Sequence, residues 1–300
     1  MPVRLFLASQ LVRYQMRRRF ERERDVWPLR RMMETQRTRL KPPPSHVRLE
    51  PLVLDGVHAE RVSVAGAARE AAILYVHGGA FLAGSPANYR PLTWRLADRL
   101  KVPVYAVDYR LAPEHPFPAG LDDVTAFYRA MLARGYRRIV IAGDSAGGNL
   151  TLTAALDITA HASVPPVALV AISPVTTLAE ELPSVRTNER HDAMFPPVVT
   201  DSVVRRYAGG TDPRHPRLSP LHAERAALAA LPPTLLQCSE IEILRDHSVE
   251  MAARLREAGV KVELEVEPRV FHVWHLAADL VPEARAAIER VARFVAPYLR

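Results

Sequence analysis

Short apolar runs punctuate most of this chain, at 71–76, 102–107, 138–142, 167–172 and 234–238. Helix-like stretches lie between or after them at 88–100, 119–134, 146–161 and 247–258. Runs of this length and uniform apolarity suit strands buried on both faces, which is the situation in a parallel sheet. Alternation with helices then predicts a doubly wound, mostly parallel sheet with helices on both faces. Two further strands, 47–54 and 60–64, read as an antiparallel pair joined at Asp55-Gly56. Val262, Leu264 and Val266 alternate with Glu263, Glu265 and Glu267, the pattern of a half-exposed strand near a sheet edge. An amphipathic helix is expected over 282–298.

Two regions depart from this rhythm. Residues 10–41 hold eleven Arg/Lys against four acids, which accounts for the whole formal charge of +7. Leu11, Val12, Met16, Phe20, Trp27, Leu29, Met32 and Met33 lie among those arginines, so the segment reads as two amphipathic helices divided at Pro28. Helices lying over the main domain are the favoured reading, and an interfacial membrane helix is the weaker one. No nucleic-acid reading module accompanies the charge, so no nucleic-acid partner is expected. The second departure is 174–233, proline-rich and with a single convincing helix near 197–208. The expected organisation is N-terminal lid helices at 1–44, a catalytic domain at 45–173 and 234–300, and a lid insertion at 174–233. One cysteine, Cys238, excludes an internal disulfide and reads as a core residue. With no secretory signal and no membrane-length apolar stretch in view, a cytoplasmic location is expected. No metal-ligand spacing or phosphate loop appears, so neither metal nor cofactor is expected.

The strand at 138–142 runs into Gly143-Asp144-Ser145-Ala146-Gly147-Gly148 and then a helix. This G-x-S-x-G pattern sits on a strand-to-helix elbow, the context in which a serine hydroxyl is held clear of the backbone as a nucleophile. With 13 glycines in 300 residues, chance supplies only about 0.02 such patterns. The strand at 71–76 likewise runs into His77-Gly78-Gly79-Ala80-Phe81. Side-chain-free Gly78 and Gly79 let backbone amides approach an oxyanion, Ala146 offers a third amide from the helix start, and His77 is expected to orient the loop.

With these motifs, and with Asp108-Tyr109-Arg110-Leu111-Ala112-Pro113-Glu114, Leu231-Pro232-Pro233 and Phe271-His272, the sequence resembles the hormone-sensitive-lipase-like family of α/β-hydrolases over nearly all the chain after residue 70. The resemblance implies the α/β-hydrolase fold with eight strands, a helical lid, and ester hydrolysis without a cofactor. Ala80 stands where the family has a third glycine, and Val273-Trp274 replaces its usual glycine-phenylalanine.

The general base must lie late in the chain, leaving His247, His272 and His275. His247 reads as a surface residue beside Asp246, and His275 as a helix-start or core residue. His272 follows a strand and short loop and matches the family's histidine. The family's acid position falls on Glu242, which would hold the imidazole tautomer. Asp246, which could instead cap a helix, and Glu240 remain alternatives. The implied reaction is hydrolysis of a small short- to medium-chain carboxylic ester through an acyl-enzyme on Ser145. A lactone hydrolase or N-acetyl deacetylase with the same residues is the alternative, as is a non-catalytic small-molecule receptor. Tyr89, Trp94, Phe195, Tyr207 and Trp274 are candidates for an acyl pocket or for the core, and a homodimer is left open.

Overall fold

The computed structural model describes residues 3–18, 27–161, 164–196, 203 and 205–300. Each apolar run of the sequence forms a strand. They are β1 (Val47–Leu54), β2 (Val57–Val64), β3 (Ala71–Val76), β4 (Val104–Asp108), β5 (Arg138–Asp144), β6 (Ala168–Ile172), β7 (Thr234–Ser239) and β8 (Val262–Glu267). They make one sheet in the order β1-β2-β4-β3-β5-β6-β7-β8. The β1–β2 and β2–β4 pairs are antiparallel, and every pair from β4–β3 to β7–β8 is parallel.

The helices are α1 (Val3–Val12), α2 (Trp27–Arg39), α3 (Arg90–Leu100), α4 (Ala119–Ala133), α5 (Ala146–His161), α6 (Pro183–Thr187), α7 (Arg225–Ala229), α8 (Arg245–Glu257) and α9 (Pro282–Val295). Strand alternation divides the interior into two cores. Ala72, Leu74, Val76, Ile139 and Ile141 face α4, α5 and α8, represented by Leu121, Leu150 and Met251. Ile73, Tyr75, Val140, Ala142 and Val170 face α3 and α9, represented by Leu92, Leu96, Ile288 and Val291. A strand buried on both sides cannot show a polar stripe, which is why β3, β5 and β6 read as unbroken apolar runs.

Two expectations need correction, and one falls largely outside the described residues. The segment 174–233 holds more regular structure than one helix: α6, α7 and a 3₁₀ turn at Pro220–His222 are all present. Of the helix expected near 197–208, residues 197–202 and 204 lie outside the described residues. Strand β8 is an edge strand as expected, but its glutamate face is not simply wet: Arg290 of α9 binds both Glu265 and Glu267, while Val266 is exposed. Charge pairing with the last helix thus reverses part of the alternation.

The division at Pro28 falls where expected, in the first turn of α2. Arg13, Arg17 and Arg30 hold the N-terminal helices to the body through backbone carbonyls, Arg13 by way of His191 O at 3.1 Å. Arg30 reaches Leu82 O and Ala112 O as well as the Glu114 carboxylate. Arg17, just beyond α1, reaches Glu189 O and Asp192 O at 2.6 and 2.9 Å. Among the described residues, no helix is long and apolar enough to cross a membrane.

Candidate active site

The loops after β3, β5, β7 and β8 leave the same edge of the sheet, the carboxyl end of its parallel strands, where open α/β sheets place their ligands. Residues Val76 and Gly143 are register partners, so the loop 77–81 and the elbow at Ser145 are neighbours. Ser145 has φ +54°, a left-handed conformation that a side chain rarely adopts. It is held there from both sides: its N–H donates to Ile172 O at 2.8 Å, and α5 begins at the next residue. The close packing behind it requires Gly147, where an added Cβ would lie 2.1 Å from Val76 O.

Opposite the elbow, His272 Nδ1 lies 2.5 Å from Glu242 Oε2, with both side chains buried. A carboxylate accepts only, so Nδ1 carries the proton and Nε2 is left as the lone-pair edge of the ring. That Nε2 has no hydrogen-bond partner among the described residues, Ser145 Oγ included. Burial pulls the His272 pKa down, but the Glu242 carboxylate, with Asp192 and Asp144 nearby, outweighs it and leaves the value above 6.5. Glu242 itself is fixed by the Ser239 N–H at 2.9 Å. The other two candidate acids are engaged elsewhere or remote. Asp246 accepts the Ser184 N–H at 2.8 Å, so it serves the first turn of α6 rather than its own helix, and Glu240 is exposed.

Three residues that sequence reasoning passed over complete the setting. Asn188 Nδ2 donates to the carbonyls of Glu240 and Glu242, both at 2.9 Å. Asp192 takes the Ile243 N–H at 2.8 Å and, with its other oxygen, the Met194 and Phe195 N–H groups. The third is Asp144, buried beside Ser145. Its Oδ1 accepts the Tyr75 hydroxyl at 2.7 Å and the Gly78 N–H at 3.1 Å. Burial raises its pKa to about 7 despite those donors. Only Asp144 left a trace in the sequence: a carboxylate at the end of an otherwise apolar strand.

The glycine loop is tightly specified. Gly79 has φ +116°, and a Cβ there would fall 1.9 Å from Ala83 O. The amides of Gly79 and Ala146 have no partner among the described residues. The Gly78 amide differs from expectation, since it is already committed to Asp144, a buried carboxyl that must find donors. His77 is buried, donates from Nδ1 to Gly78 O at 2.7 Å, and stacks on Tyr109 with ring centroids 4.4 Å apart. Its burial lowers the pKa to about 4, so it is a neutral brace of the loop.

Of the aromatic candidates, Phe195 touches the site, edge-on to the His272 ring at 4.8 Å between centroids. Tyr89 stacks near His77, Tyr207 stacks on Phe81, and Trp274 is fully buried in the second core. Trp94 is partly buried against that same core, with Arg95 over its ring. Cys238 is buried, and burial raises its thiol pKa. Among the described residues no three His, Cys, Asp or Glu side chains group as metal ligands.

His247 corrects an expectation: it is buried, and its Nδ1 accepts the Thr176 N–H at 3.0 Å. The segment 174–178 covers it, which a helix-start position next to an aspartate did not reveal. His275 is a core residue, with Nε2 2.8 Å from Gln237 Oε1. Burial holds His77 and His247 near 4 and His275 near 3, all below the ordinary 6.5. A depressed folded-state value means stabilisation that is complete above pH 6.5 and lost as pH falls toward 4, by a few kcal/mol per group. Asp144, raised to about 7, opposes this over the same window, as do Asp108 and Asp192, whose carboxyls burial also raises, while Glu114, held down to about 2 by Arg30, acts with the imidazoles. Thermal unfolding should therefore show Tm falling steeply from pH 6.5 to 4.5. The His247→Gln variant should show a shallower slope, and an unchanged slope would remove His247 from this account.

Comparison with known proteins gives a consistent picture. A family profile described as the alpha/beta hydrolase fold matches residues 73–276. An acetyl-hydrolase of Streptomyces hygroscopicus is 40% identical over 226 residues, 74% of this chain and 74% of that protein. An esterase of Acinetobacter venetianus is 34% identical over 262 residues, 86% and 85% of the two chains. Among solved structures, an esterase from the bacterial hormone-sensitive lipase family superposes with a TM-score of 0.92 at 33% identity, covering 100% of this chain and 99% of that one.

Proposed function

The chain belongs to the hormone-sensitive-lipase-like family of α/β-hydrolases and is a carboxylic-ester hydrolase, and on that premise we propose that Ser145 is its nucleophile, His272 its general base and Glu242 the acid that orients the base. The observation that carries this reading is the buried 2.5 Å contact between His272 Nδ1 and Glu242 Oε2, which leaves Nε2 as a proton acceptor. Ser145 Oγ attacks the ester carbonyl as Nε2 takes its proton. The amides of Gly79 and Ala146 receive the resulting oxyanion, and Gly78 shares its N–H between that oxygen and Asp144. His272 then returns the proton to the departing alcohol, and water releases the acyl group by the same steps in reverse order of roles.

The substrate in this reading is a small ester of short to medium chain length. Residues 1–44 and 174–233 act as the lid that limits the acyl pocket, with Phe195 as one wall. The lone buried cysteine suits the reducing cytoplasm. One observation favours an acetyl group as the acyl part, the likeness to the Streptomyces acetyl-hydrolase. Matched acetate ester, lactone and acetanilide substrates separate the ester, lactonase and deacetylase readings, with the ester expected to turn over fastest. The direct test is a fluorophosphonate probe followed by peptide mass analysis. The expected adduct sits on Ser145, together with turnover of p-nitrophenyl esters from acetate upward in chain length. Absence of both adduct and turnover would leave a small-molecule receptor on this fold.

A further inference from the structure

Helix α1 has a chemistry that ester hydrolysis leaves unused. From Val3 to Arg18 the chain carries Arg4, Arg13, Arg17 and Arg18 and no aspartate or glutamate. Val3–Val12 is α-helical, at about 100° per residue, and Arg13–Arg17 continues it as a π-helical turn; along the two together the side chains separate into two faces. Leu5, Ala8 and Val12 turn inward onto the second core, with Leu5 only 2% exposed. Val3, Leu7, Leu11 and Tyr14 form an opposite row, 73, 60, 51 and 66% exposed, with Phe6 beside them at 47%. Singly exposed apolar residues are ordinary on a protein surface, but a continuous row along one helix is not. The inward face explains why the helix is amphipathic. It does not explain the outer row.

The arginines divide as well. Arg13 and Arg17 turn toward the carbonyls of residues 189–192. Arg4 and Arg18 are exposed at the margin of the apolar row, with the Arg18 guanidinium 5.0 Å from the Tyr14 ring. An apolar stripe edged by cations fits the boundary between acyl chains and anionic headgroups. It fits a second copy of itself poorly, because the marginal arginines would meet arginines.

We propose that the outer face of α1 and of the turn that continues it seats this protein on anionic lipid surfaces, with Val3, Phe6, Leu7, Leu11 and Tyr14 in the headgroup–acyl boundary and Arg4 and Arg18 on the phosphates. Arg13 and Arg17, in the turn that continues α1, bind carbonyls of the segment 189–195, whose Phe195 packs on His272. A surface-seated molecule would thus bring that side of the candidate site close to esters dissolved in the lipid.

The test is co-flotation of the full chain with vesicles of phosphatidylcholine alone, or with about a third phosphatidylglycerol. Wild type should bind the anionic vesicles, with affinity falling as salt is raised, and should leave neutral vesicles largely unbound. The Leu7→Asp/Leu11→Asp variant, altered only at exposed positions, should bind at least about 30-fold more weakly. Leu7 and Leu11 lie on the solvent side of the lid, 60 and 51% exposed, away from the pocket wall at Phe195, so turnover of soluble p-nitrophenyl acetate should equal wild type and folding and ester hydrolysis are read separately from lipid binding. Wild type that ignores anionic vesicles, or a variant that binds as well as wild type, overturns the proposal. So does a wild-type dimer in sedimentation that the double substitution dissociates without any lipid binding, since the face would then be an interface between copies.

Discussion

Replacing Ser145 with alanine is expected to lower turnover of a p-nitrophenyl ester by about 10⁶-fold, the scale seen when a serine nucleophile is removed from such a site. The residue is 7% exposed and its φ of +54° is set by the elbow, not by the hydroxyl, so the variant should fold and melt close to wild type. What disappears is the covalent route itself, leaving binding and the amides of Gly79 and Ala146 to act on a water molecule. Fluorophosphonate labelling should vanish with the activity. Retained turnover with the serine absent would mean that the hydrolysis occurs elsewhere in the molecule, and the reading of the whole site would fall.

The Glu242→Gln variant is expected to lose about 10⁴-fold in turnover. Glutamine has the same shape and can still accept the Ser239 N–H, so secondary structure and Tm should change little. Its amide, however, can present N–H to the ring, which favours the tautomer with the proton on Nε2 and removes the base. Loss of the carboxylate also removes the main influence that raises His272 above 6.5. The acid limb of the residual pH–rate profile should therefore move to lower pH, because a neutral imidazole then persists further into acid. Combining the change with Ser145→Ala should add almost nothing to the loss from Ser145→Ala alone, as residues acting in one step are not additive. A fully active Glu242→Gln enzyme would return the role to Asp246 or Glu240. Either reassignment would then have to explain how a carboxylate bound to Ser184, or one exposed to solvent, supports a buried imidazole.

The sheet was legible because buried parallel strands have no choice of composition: β3 begins and ends at the residues its sequence suggests, β5 and β6 differ by one or two, and the edge strand β8 was read instead from its alternation. The spacing of His272 and Glu242 was legible for a related reason, since each follows the carboxyl end of a recognisable strand. What surrounds them was not. Asn188 and Asp192 belong to a proline-rich, irregular segment and reach backbone groups at residues 240–243, and a side chain that binds carbonyls and amides at long range leaves no periodicity behind. His247 was misread for the same reason, its burial coming from chain 71 residues away. The commitment of the Gly78 amide to Asp144 also lay beyond pattern reading, because both residues belong to motifs whose separate meanings were already clear.

That last contact has a mechanical consequence. Asp144 precedes Ser145 by one peptide bond and also grips the glycine loop, so in the proposed site hydroxyl and amide cradle travel as a single rigid jaw. A bulky guest cannot pry them apart to make room. Whatever tolerance this enzyme has for guests of different size must therefore be found in the opposing jaw, where Phe195 is held by the Asp192 carboxylate and the Arg17 guanidinium rather than by a strand.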